Sequence, residues 1–161
     1  MSESPAELVS PEVFRSLVGS FAAGVTVVTS AHEGESCGMT VSAFSSVSMD
    51  PPLVLVCLTK GKPTTDLIEA SRRFVVNILS ADQREVSDQF AYLDAEERLF
   101  SVGYEPDANG LPVLDGALAH LACRVQRTEE AGDHLIFIAE VEAGDEAAGT
   151  PLVYHRGAYL D

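Results

Sequence analysis

The stretch from Cys37 to Leu58 constrains the fold more than any other part of the chain. Cys37, Met39, Val41, Ala43, Ser45 and Val47 alternate with Gly38, Thr40, Ser42, Phe44, Ser46 and Ser48. A two-residue period predicts a β-strand, and its length predicts a long one over 37–48. Asp50-Pro51-Pro52 then reads as a turn, and Leu53–Leu58 (LVLVCL) as an apolar strand buried on both faces. Strands joined by so short a turn pair antiparallel, because a parallel pair needs a crossover of a dozen residues or more. A polar strand face and the residues after the second strand should therefore lie together.

The rest of the chain supplies more strands than helices. Val25–Ser30 (VTVVTS), Arg73–Leu79, Leu118–Glu129, His134–Ala143 and Leu152–Tyr154 have strand composition. Glu130-Ala131-Gly132-Asp133 is a hairpin signal. Ser10-Pro11 opens a helix with an apolar stripe of Phe14, Leu17, Val18 and Phe21, stopped at Gly24. A short helix is predicted over Thr64–Ala70, with Thr64, Thr65 or Asp66 as its cap. Ser80 with Gln83 makes a capping box for a helix running to about Ala91, and residues 101–112 read as a loop. The strands are consecutive and hairpin-linked. The expected fold is mainly β, an antiparallel, Greek-key-like barrel with peripheral helices. Neither GxGxxG nor GxxxxGK[ST] occurs, which disfavours a doubly wound nucleotide-binding sheet. Residues 1–9 read as a loose arm and 10–161 as one domain.

A chain of 161 residues buries enough surface, about 68–70%, to need no staple. Its net charge is −15 and its pI about 4.4, so nucleic acid and anionic membrane are not expected partners. No apolar run spans a bilayer and Met1–Glu7 has no cationic leader, so a cytoplasmic location is expected. Cys37, Cys57 and Cys123 and the four histidines lack metal-ligand spacing, and no metal is expected. The cysteines read as buried reduced thiols.

Three segments have residues suited to ligand chemistry. Thr40, Ser42 and Ser46 give a strand face of hydroxyls, either for a polyol or phosphate or simply for solvent. Lys60-Gly61-Lys62-Pro63-Thr64-Thr65 brings two lysines to a helix N-terminus, where free N–H groups and the dipole favour a phosphate. An ordinary capped helix reads the same. His155-Arg156-Gly157-Ala158-Tyr159 puts imidazole, guanidinium and phenol together, for an aromatic anion or as a frayed tail.

These pieces stand in the order FAAGVTVVTS, CGMTVSAFSSVSMDPPLVLVCL, RFVVNIL, DQFA, GLPVLDGALAHLACRV, AGDHLIFIAEV and PLVYHRGAY, and the likeness they carry covers nearly the whole chain, from about Phe14 to Tyr159. The chain resembles the flavin reductase family with the FMN-binding split barrel, the reductase components of two-component flavin-dependent monooxygenases. The resemblance implies a homodimeric enzyme that reduces FMN or FAD with a nicotinamide cofactor and supplies an oxygenase. NADH is expected over NADPH, since no arginine cluster marks a 2′-phosphate site. Flavin contacts are implied for Met39, Thr40, Val41, Ser42, Ala43, Ser45 and Ser46, and for Leu58, Thr59, Lys60, Lys62, Thr64 and Thr65. Lys62-Pro63 stands where small hydroxyl residues are common. Nicotinamide contacts are implied for His155, Arg156, Gly157 and Tyr159. The competing readings are a split-barrel oxidase with its own substrate, of the pyridoxamine-phosphate-oxidase type, and a flavin-binding module without catalysis. The Gly38–Leu58 block favours the reductase.

Overall fold

Val28, Val41, Val54, Val56, Phe74, Val76, Val125, Leu135 and Phe137 are scattered along the chain, yet they meet in one core. Only a sheet curved back on itself gathers them. The computed structural model describes residues 7–160; most of the expected arm, residues 1–6, lies outside them. In chain order the elements are α1 (Pro11–Val18), β1 (Ala23–Gly24), β2 (Thr26–His32), β3 (Glu35–Val41), β4 (Phe44–Met49) and β5 (Pro52–Thr59). There follow α2 (Pro63–Ser71), β6 (Arg73–Ile78), α3 (Arg84–Tyr92), β7 (Tyr104–Pro106) and β8 (Pro112–Leu114). The chain closes with β9 (Ala119–Ala131), β10 (His134–Glu146), β11 (Val153–His155) and β12 (Ala158–Leu160).

Seven strands form one antiparallel sheet in the order β3-β2-β6-β9-β10-β5-β4. The mainly β barrel with peripheral helices is as expected. Strand β2 is buried on both sides: Val28 enters the barrel core, and Val27 a second core with Val25, Leu79, Phe90, Leu114 and Leu152. Buried Asn77 is fully used, donating to Val27 C=O and Thr29 Oγ1 and accepting from Leu114 N–H.

The expected single strand over 37–48 is two. Strand β3 pairs with β2 and β4 with β5, so the two halves are opposite edges of the sheet, joined by Ser42-Ala43 alone. Phe44 N–H donates to Ser42 C=O at 3.0 Å, which closes a γ-turn at this seam. The turn shifts the alternation by one residue. Phe44 packs against the core beside Met39 and Val41, on the face that the pattern denied it.

Other expectations need smaller corrections. Strand β5 buries Val54, Val56 and Leu58, but its outer face, with Leu53, Leu55 and Cys57, is only half-covered. Helix α1 starts as expected, with Ser10 Oγ accepting from Val13 N–H, but ends at Val18, capped by Gly19 rather than reaching Gly24. Lys62, not Thr64, Thr65 or Asp66, is the cap position of α2. Helix α3 begins at Arg84: Gln83 Oε1 accepts from Ser80 N–H, but the Ser80 hydroxyl donates to Asp82, so only half the box forms. Within 101–112 the chain forms β7, which pairs with β8. The tail is not frayed. Strand β12 pairs with β11, and β11 with β1, in a small second sheet.

Candidate functional site

Strand β4 lies along β5 with Phe44 opposite Val56, and Cys57 N–H donates to Ala43 C=O at 3.0 Å. The seam therefore sits beside the end of β5 that continues into the Lys60-Gly61-Lys62 turn and α2. Gly61 takes φ +65°, a left-handed conformation that glycine adopts without strain. The short connection between the strands does bring the polar seam and the lysine turn to one end of the barrel, for the β4 half of the predicted strand.

The implied flavin residues fall into two groups. Several are already engaged. Val41 and Leu58 are core, and Met39 packs against it. Thr40 Oγ1 donates to Ser87 C=O at 2.6 Å, tying β3 to α3. Thr65 Oγ1 donates to Thr59 C=O at 2.8 Å, fastening α2 to the strand end. Thr59 Oγ1 lies 3.4 Å from His134 Nε2, and Lys60 pairs with Glu130 at 3.2 Å. Others are free to meet a ligand. Ser42, Ala43, Ser45 and Ser46 are exposed at the seam and on edge strand β4.

The N-terminus of α2 is the place best equipped for a phosphate. No side chain caps it, and its first N–H groups have no partner within the helix. Lys62 makes no ion pair or side-chain hydrogen bond among the described residues. Thr64 Oγ1 is buried without a hydrogen-bond partner. A phosphate-bearing flavin fits this donor set: an uncapped dipole, an unpaired ammonium and an orphaned hydroxyl.

The C-terminal hairpin reaches the seam from the other side. A cleft of about 730 Å³ opens between α1, β1 and the β11–β12 turn, lined by Arg15, Ser16, Phe21, Ser42, Tyr154, Arg156 and Gly157 among others. A smaller one of about 180 Å³ is lined by Thr40, Ser42, Ser87, Tyr92, Tyr154 and Tyr159. Ser42 is common to both. Tyr159 is held from several directions. Its hydroxyl donates to Asp88 Oδ1 at 2.7 Å and hydrogen-bonds with Ser87 Oγ at 2.8 Å. The Arg84 guanidinium lies 5.0 Å from its ring centroid, and Tyr154 meets it edge-on at 5.4 Å. Burial raises its pKa, and the Asp88 carboxylate adds to the rise. His155 lines neither cleft.

A cleft of about 810 Å³ runs along the flank of α2, touching Pro63, and is lined by Glu33, Glu35, Asp66 and Glu96 with His32. Its carboxylates repel phosphates, and no metal-binding group of side chains occurs among the described residues. The residues that sequence reasoning missed are Arg15, Arg84, Ser87, Tyr92 and Tyr154. Only Arg15 had a readable signal: it lies across the α1 wheel from the apolar stripe.

The model of the flavin reductase like domain matches residues 18–161. The reductase component of 4-nitrophenol 4-monooxygenase/4-nitrocatechol 2-monooxygenase from Rhodococcus opacus is 43% identical over 146 residues, covering 91% of this chain and 78% of that protein. An NADH-dependent flavin reductase from a Rhodococcus species is 40% identical over 172 residues, covering 99% and 92%. The crystallised NADH:FAD oxidoreductase SgcE6 of Streptomyces globisporus, in complex with NAD and FAD fragments, is similar with a TM-score of 0.89 at 35% identity, covering 97% of this chain and 96% of that one.

Proposed function

The chain belongs to the flavin reductase family, and from that premise we propose that it reduces FMN or FAD with NADH and supplies the reduced flavin to a partner oxygenase. One observation carries this reading: the edge strand, the lysine turn and the C-terminal hairpin converge on the seam at Ser42. The bound flavin supplies the hydride-accepting ring. Everything else falls to the protein. Lys62, the first N–H groups of α2 and the Thr64 hydroxyl hold the phosphate. The unpaired edge of β4 at Ser45 and Ser46 offers backbone groups to the polar rim of the ring. Arg156, Gly157 and Tyr159 hold the nicotinamide side, with His155 beside them on the hairpin to position the nicotinamide. Hydride transfer needs no nucleophile, metal or carboxylate pair, so positioning is the main contribution.

The working unit is a homodimer of the domain 10–161. Val13, Phe14 and Leu17 on α1 are 48%, 57% and 62% exposed, and the outer face of β5 and β10 is half-open at Leu55, Cys57, Ile136 and Ile138. A second copy is the partner that covers such faces. No helix among the described residues is long and apolar enough to cross a membrane. The three cysteines are free thiols, which supports a reducing cytoplasmic setting.

Steady-state oxidation of NADH and of NADPH, each with FMN, FAD and riboflavin, tests the reading. NADH should be consumed only when flavin is present, and faster than NADPH. A folded, flavin-loaded protein inert toward both donors would overturn it. His155→Ala should raise the KM for NADH or slow flavin reduction, leaving flavin affinity unchanged. Wild-type kinetics would remove His155 from the nicotinamide side.

A further inference from the structure

Helix α1 is built the wrong way round for a helix that packs on its own subunit. Glu12, Arg15, Ser16 and Gly19, at the spacing of one helical face, line the 730 Å³ cleft, while Val13, Phe14 and Leu17 face away from it. The face turned toward the cleft is mostly polar, with Val18 at its edge.

The charges in that cleft are equally unusual. The chain has 25 carboxylates against 10 basic residues. Lys60, Arg73, Arg124 and Arg127 are taken up in ion pairs. Arg72 donates to Thr128, Arg98 to backbone carbonyls, and Arg84 lies over Tyr159. Among the described residues Arg15 makes no ion pair and no side-chain hydrogen bond, and Arg156 donates only to Ser20 Oγ at 3.2 Å. Glu12 also lines the cleft and pairs with neither. Two arginines that escape so many carboxylates share one cavity.

Arg156 is also held in a conformation that does not favour arginine. It takes φ +49° and Gly157 φ +81° in the two-residue turn between His155 and Ala158. Such turns prefer asparagine, aspartate or glycine at the first position. Arg156 N–H donates to Gly19 C=O at 3.0 Å, so the turn is tied to the end of α1 and both guanidinium stems start from a common frame. The cleft has the size of a small-molecule site. It offers aromatic surface at Tyr154 and Phe21, and it touches the seam through Ser42.

We propose that Arg15 and Arg156 form a clamp for the pyrophosphate of a dinucleotide lying in the cleft between α1 and the C-terminal turn. The inference rests on the flavin reductase reading and adds a residue and a ligand part to it. A dinucleotide carries its charge in the middle, and guanidinium is the group that grips phosphate oxygens two at a time. On a chain of net charge −15 a local reversal of sign is needed to hold such an anion at all. NADH and FAD both carry a pyrophosphate; the flavin's own phosphate is assigned to the start of α2, so NADH is the occupant expected here and FAD the alternative outcome of the experiment.

The test compares wild type, Arg15→Ala and Arg15→Lys at low salt. NADH and reduced nicotinamide riboside, which carries no phosphate, serve as donors with FMN as acceptor. FAD, FMN and NADH binding are titrated separately, without turnover. Arg15→Ala should weaken NADH or FAD about 10- to 150-fold, the loss of one charge-assisted hydrogen bond. FMN binding and kcat/KM for the riboside should stay at wild-type values, and Arg15→Lys should recover part of the loss. A loss on NADH assigns the clamp to the donor, and a loss on FAD to the flavin. Unchanged NADH and FAD, or equal losses on the riboside and FMN, would overturn the proposal. Failure of the reductase reading looks different: wild type would then bind these ligands and oxidise neither donor.

Discussion

The barrel interior and the α1 end of the molecule treat their side chains in opposite ways. In the barrel, Val56, Phe74, Val76 and Phe137 are fully buried, and buried Asn77 has all its main partners. At the other end, α1 buries no residue, its apolar side chains are open, and two arginines line a cleft with no ion pair among the described residues. The first region is complete within one subunit. The second leaves surface open on both faces of the helix, which on the proposed reading take a second copy and a ligand. Stability resides in the first region and function in the second.

Substitutions of matched size should break the two regions differently. Phe137→Ala should cost about 3–5 kcal/mol of folding stability, as large-to-small changes in a packed core do. Denaturant unfolding would show it as a lower midpoint with an unchanged slope. The double variant Phe14→Asp with Leu17→Asp should leave the subunit folded and abolish association. It gives up about 1.5–3 kcal/mol per apolar side chain at the interface. Sedimentation should move to a species near 17.1 kDa; a dimer as tight as wild type would place the interface elsewhere.

Two finer changes sharpen the contrast. Lys62→Ala should raise the dissociation constant for FMN about 10- to 150-fold, one charge-assisted contact to phosphate, and leave riboflavin unchanged. Equal weakening of both would make Lys62 a surface lysine. Tyr159→Phe should cost about 0.5–1.5 kcal/mol, the net worth of a hydrogen bond, felt as loosening of the C-terminal hairpin. Amide exchange in β12 reads it. The pH dependence has a fixed sign. The phenol's folded pKa lies above its ordinary 10.0, so its contribution is whole below that value and is lost as pH rises through the folded one. Tyr159→Phe should remove that alkaline loss.

The strands were legible because their signals are local. VTVVTS, RFVVNI and the β9–β10 hairpin each declare period and turn within a few residues. The seam was not legible. No glycine or proline lies between Val41 and Phe44, and a γ-turn that slips the alternation by one leaves the sequence looking like one strand. The site was legible in part. Lys62 and Thr64 have no side-chain partner among the described residues at the uncapped α2 terminus, where the motif pointed, while Thr65 and Lys60 turn out to be occupied within the fold. Those partners, Thr59 and Glu130, come from the neighbouring strand end and from across a hairpin, and spacing along the chain does not reveal them. Tyr159 was singled out, but its contacts with Ser87 and Asp88 join segments some seventy positions apart.

Anaerobic single-turnover mixing of the flavin-loaded protein with NADH tests the central claim most directly. Loss of the oxidised flavin's visible absorbance should follow mixing, at a rate that saturates with NADH and is slower with NADPH. A folded, loaded protein whose flavin stays oxidised with either donor would contradict the assignment of the seam as the place where hydride changes hands.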